Sequence, residues 1–76
     1  MFIKIGNTLY NSKYIVKIYV KENRICFLFN DGLNEKREWI LYVEYSTPKK
    51  AEENFNSFVN HLSFCEKTNI YTFVEE

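Results

Sequence analysis

Seventy-six residues form one domain, 1–76, and its ten basic and ten acidic side chains cancel. That excludes a second folding unit and a protein that wraps a phosphate backbone by bulk charge. With 18% aromatic residues, two glycines and one proline, the composition also excludes disorder.

A chain this short hides only about 60% of its unfolded surface, and aromatic side chains that each bury roughly 150–250 Å² are the compensation. Phe2–Ile5 and Thr8–Tyr10 flank Gly6-Asn7, and glycine at the first central position of a two-residue loop suits a type II′ hairpin. Asn11-Ser12-Lys13 is a short connector. Tyr14–Lys21 alternates as a strand with Tyr14, Val16, Ile18 and Val20 on one face. Glu22-Asn23 is a turn, and Arg24–Asn30 returns with Ile25, Phe27 and Phe29 in phase. Asp31-Gly32 is a strong turn signal, lengthened by Leu33-Asn34. Lys36–Tyr45 is the longest strand, with Trp39, Leu41, Val43 and Tyr45 together.

Thr47-Pro48 reads as N-cap and first helical residue, because proline's fixed φ fits there and its missing N–H is no loss. Ala51, Phe55, Phe58, Val59 and Leu62 make one apolar stripe. The opposite face, Asn54, Asn56, Ser57 and Asn60, holds mediocre helix formers, so docking must hold this helix. After Ser63-Phe64 the chain turns through Cys65–Asn69, and Ile70–Val74 is a short final strand. The expected fold class is α+β: an antiparallel β-meander of four to six strands, with one helix in the C-terminal half packed on one face.

One helix covers one side of a sheet. The expected core is Tyr14, Val16, Ile18, Val20, Ile25, Phe27, Phe29, Trp39, Leu41 and Val43 against the helical stripe. The reverse side then shows Ile15, Lys17, Tyr19, Lys21, Cys26, Leu28, Asn30, Glu38, Ile40, Tyr42 and Glu44. A solvated sheet face reads polar throughout, whereas Ile15, Tyr19, Leu28, Ile40 and Tyr42 would form an apolar patch. Three arrangements account for it: cover by the first hairpin or last strand, back-to-back homodimerisation, or a different macromolecular partner. The candidate partner-binding or dimer residues are Ile15, Lys17, Tyr19, Lys21, Leu28, Ile40 and Tyr42. Zero net charge gives little protection against self-association, so a homodimer or a bound partner is expected.

Chemistry-bearing residues are sparse. His61 and Asp31 are the sole residues of their types, and Asp31 beside Gly32 has a backbone reason to be there. No nucleophile–histidine pair, phosphate loop or metal-ligand spacing is present, so neither enzyme activity nor a cofactor or metal is expected. Cys26 and Cys65 are too few for a disulfide framework. The start, Met1 to Gly6, has no charged leader before an apolar stretch. The run Trp39 to Val43 is far short of the roughly 20 residues that span a bilayer. A soluble cytoplasmic protein is expected. Lys17 and Lys21 beside Tyr19, with Tyr42 near them, are the residue types that grip single-stranded nucleic acid by stacking and phosphate contact; Glu38 and Glu44 on the same face oppose it. Strands followed by a helix resemble, in architecture, the single-strand-binding domains of transcriptional coactivators.

Phe, Ile, Asn, Lys and Tyr dominate the chain, residues of AT-rich codons, and the helix carries Ala51-Glu52-Glu53-Asn54-Phe55. In size, composition and layout the chain resembles the short proteins of phages and mobile elements in low-GC bacteria. That resemblance implies a β-meander with a helix, and it extends to inhibitors of bacterial defence systems, anti-CRISPR proteins among them. Such proteins lack catalytic residues and act by occupying a surface. The resulting expectation is a non-enzymatic macromolecule-binding protein, an inhibitor of a host complex; the alternative is a homodimeric single-stranded nucleic-acid binder.

Overall fold

Alternating strand patterns and one apolar helical stripe assemble here as two sheets sharing a core. The computed structural model describes residues 1–30, 38–64 and 70–74, with Ser63 and Phe64 by backbone alone. In chain order the elements are β1 (Phe2–Ile5), β2 (Thr8–Asn11), a 3₁₀ turn (Ser12–Tyr14), β3 (Ile15–Lys21), β4 (Arg24–Asn30), β5 (Glu38–Glu44), α1 (Pro48–Phe64) and β6 (Ile70–Phe73). The class is α+β. The Asp31-Gly32 turn, Cys65 and the Cys65–Asn69 turn lie outside the described residues.

The strands β3, β4 and β5 form an antiparallel meander in that order, and β2, β1 and β6 form a second sheet. Within the second sheet, β1 pairs antiparallel with β2 but parallel with β6, Ile3 standing beside Tyr71 and Ile5 beside Phe73. The chain's two ends therefore share a sheet. Gly6 at φ +62° is the one positive-φ residue of the first hairpin turn, the sign pattern of a type II′ turn.

Local signals set several boundaries. The Asn11 side chain accepts a hydrogen bond from the Lys13 backbone N–H at 3.1 Å and opens the 3₁₀ turn. The Thr47 hydroxyl accepts from the Lys50 N–H at 3.1 Å, the N-cap expected ahead of Pro48. The β3–β4 turn is fastened to the end of β5. Asn23 accepts from the Tyr45 N–H at 2.8 Å and returns its side-chain amide to the Tyr45 carbonyl at 2.7 Å.

Glu22 in that turn adopts φ +56°, where a Cβ crowds the following carbonyl and costs roughly 1–2 kcal/mol. Part of that penalty is exchanged for glycine's larger loss of freedom on folding. Glu22→Gly should therefore raise stability by about 1 kcal/mol, read as a higher urea midpoint at unchanged denaturant dependence.

The core lies between the sheets and under the helix. Ile3, Ile25, Phe27, Phe29, Val43, Tyr45, Ala51, Phe58 and Phe73 are buried. Phe73 places its ring edge on Phe27 at 5.1 Å and meets Phe58 at 5.1 Å, so both sheets and the helix converge there.

Of the expected sheet core, Trp39 is 45% exposed although it stacks on Phe29, and two further positions are displaced. Tyr14 lies in the 3₁₀ turn and is exposed, and Val16 is 61% exposed. The cause is an irregularity in β3: Ile15 opposes Phe29 but Lys17 opposes Leu28, so β3 uses one residue more than β4. An extra residue reverses the alternation on its far side, which sends Ile15 to the core face in place of Val16. Ile15 packs against the buried cluster, so its assignment to the reverse face is corrected.

Candidate functional site

The reverse face of the β3–β4–β5 sheet is built from three cross-strand rows. Lys17, Leu28 and Ile40 make the first, Tyr19, Cys26 and Tyr42 the second, and Lys21, Arg24 and Glu44 the third. Asn30 and Glu38 pair beyond them. Six of the seven residues expected to make a partner or dimer face are thus brought together, and Ile15 alone is elsewhere.

The first hairpin and the last strand do not cover this face. Phe73 reaches Phe27, and Tyr10 reaches Phe29 and Trp39, all through the opposite face. Ile40 is left 56% exposed and Tyr42 47% exposed, with Tyr19 and Leu28 half-buried. Cys26, a free thiol, is buried in the row between the two tyrosines.

Cations order both rings. The Lys17 ammonium lies 5.0 Å from the centre of Tyr19, and the Arg24 guanidinium 4.4 Å from that of Tyr42. Attraction to the ring quadrupole is worth about 0.5–1 kcal/mol at exposed sites, enough to bias the rings toward one orientation. Arg24 also donates through Nε to Glu44 at 2.9 Å, and this hydrogen bond holds the guanidinium pKa above its usual value. The ion pair is exposed on both sides and so aligns Arg24 over Tyr42 more than it stabilises the fold. Counting Lys17, Lys21 and Arg24 against Glu38 and Glu44, the face holds both signs and an apolar centre.

A second feature was not visible in the sequence. A groove of about 450 Å³ runs between β3 and α1, with Ile15, Val16 and Ile18 on the strand side and Phe55, Val59 and Leu62 on the helix side. Val59 and Leu62, expected in the core, are exposed along with Val16. The missing signal is the irregularity in β3, which leaves no mark in the alternation of residue types.

His61 sits on the helix with its ring at 4.8 Å from Tyr71, whose phenol pKa is pushed up by burial. Among the described residues no three His, Cys, Asp or Glu side chains stand close enough to hold a metal ion, and no helix is long and apolar enough to cross a membrane. The chain matches no known protein family, no curated protein and no solved structure.

Proposed function

We propose that this chain is a non-enzymatic binding protein that presents the reverse face of β3–β4–β5 to a protein partner. Its action is occupancy, the mode of the phage-type inhibitors it resembles. One observation carries the reading: the helix and the strands β1, β2 and β6 pack on the opposite face, leaving Ile40 and Tyr42 exposed beside Tyr19 and Leu28. Tyrosine suits such a surface because its ring is apolar, its tip polar and its rotamers few. The rings are already oriented by Lys17 and Arg24, which lowers the ordering cost of association.

Tyr19→Ala combined with Tyr42→Ala tests this directly. Both rings lie outside the core cluster, so the double variant should keep its circular dichroism. It should lose the proteins that the immobilised wild-type chain retains from a low-GC bacterial lysate. Sedimentation velocity on the same pair detects self-association through this face. Unchanged retention together with an unchanged oligomeric state would rule the face out.

A second reading is favoured by the pairing of cations with rings: a homodimer that binds single-stranded nucleic acid through Lys17, Tyr19, Lys21 and Tyr42. Glu44 answers Arg24 and Glu38 stands at the end of the face, which weakens phosphate attraction. Fluorescence anisotropy with labelled oligonucleotides at low salt decides it, since phosphate contacts are strongest there.

A further inference from the structure

We propose that the free edge of β3 and the groove beside it accept an extended acidic segment of a partner protein, which adds to the sheet as a further strand. Three observations combine at this place. First, β3 is an outer strand of its sheet and pairs, among the described residues, with β4 alone. An outer strand carries a row of backbone donors and acceptors ready to pair with another chain. Second, the groove between β3 and α1 is walled by apolar side chains. Val16, Val59 and Leu62 at 61%, 42% and 49% exposure form its open rim. Apolar surface gathered on one such rim marks a place where something docks.

Third, the charge along this edge has one sign. Among the described residues Lys17 is the one charged side chain lining the groove; Lys17 and Lys21 lie on β3 and Lys13 in the 3₁₀ turn just before it, all exposed. Glu22 follows only in the turn beyond the strand. Lysines on an outer strand guard it against copies of itself, because an antiparallel β3–β3 pair would set lysine against lysine. The same lysines favour a strand bearing carboxylates. The occupant that fits is a segment alternating apolar residues with Asp or Glu. Its apolar side chains enter the groove between Val16 and Val59, its carboxylates meet Lys17 and Lys21, and its backbone pairs with β3.

The site adjoins the tyrosine face, sharing Lys17 and Lys21 with it. Tyr19 and Tyr42 do not line the groove, so the double tyrosine variant should still bind the segment.

Panning a display library of random dodecapeptides against the folded chain supplies the probe. The enriched sequences should alternate apolar with acidic residues. A labelled synthetic copy of the dominant sequence, followed by anisotropy, should weaken about tenfold between roughly 50 and 500 mM salt. Val16→Glu on the strand and Val59→Glu on the helix each place a carboxylate on the rim at an exposed position, and each should weaken binding at least about tenfold. Should one of them unfold the chain, the other still reads the groove. Hydrogen exchange should show new protection at alternate amides of β3, which side-chain docking alone would not produce.

Failure to enrich any sequence sensitive to these substitutions overturns the proposal, as does protection confined to amides outside β3. A concentration-dependent dimer abolished by Val16→Glu would assign the groove to a second copy and overturn it too.

Discussion

Phe27→Ala should destabilise the chain by about 3–5 kcal/mol, the cost of removing a buried ring and leaving its cavity. Phe27 is fully buried at the centre of β4, between Ile18 on β3 and Leu41 on β5. Its ring meets the edge of Phe73, which in turn touches Phe58. One truncation therefore loosens both sheets and the helix together. Small domains have only about 5–15 kcal/mol in hand, so the urea midpoint should fall by a large fraction. Trp39, stacked on Phe29 at 4.2 Å with the rings 5° from parallel, supplies the fluorescence signal. Phe2, which is exposed, is the control, and Phe2→Ala should stay within about 0.5 kcal/mol. A double-mutant cycle on Phe27 and Phe73 should return a coupling of about 0.5–1.5 kcal/mol. A loss below about 1 kcal/mol for Phe27→Ala would mean that the sheets are not joined through these rings.

The elements that follow from local pattern were legible in advance. Alternation over Arg24–Asn30 puts Ile25, Phe27 and Phe29 inward, and all three are buried. Thr47-Pro48 starts the helix because a hydroxyl acceptor and a fixed φ act within one turn. What escaped depends on distance or on register. The parallel pairing of β1 with β6 joins the chain's two ends, and no local signal encodes such a contact. The irregularity at Val16 exchanges it with Ile15, since a period-two argument holds only while pairing is uninterrupted. The helical stripe is real, but Ala51 and Phe58 reach the core while Val59 and Leu62 stop at the groove rim. Of the candidate face, Lys17, Tyr19, Lys21, Leu28, Ile40 and Tyr42 were legible because all lie beyond the irregularity, where alternation is intact. The groove was not, being made by the displaced residues themselves.

Ile3→Ala and Ile40→Ala remove the same atoms and should give opposite results. Ile3 is fully buried in the middle strand of the second sheet, beside Tyr10 on β2 and Tyr71 on β6. Its truncation should cost about 2–5 kcal/mol. Ile40 is 56% exposed on the reverse face, and its truncation should stay within about 0.5 kcal/mol while weakening partner binding. The form of the Ile3→Ala transition matters as much as its midpoint. Ile3 belongs to the same buried cluster as Phe27 and Phe58, so unfolding should remain one transition with an unchanged urea dependence. A second transition, or loss of amide protection limited to β1, β2 and β6, would mean that the terminal sheet melts by itself. Ile3 also lines the floor of the groove beside β3. A variant that stays folded should therefore bind the acidic segment differently at an unchanged tyrosine face, which separates the two surfaces from within the core.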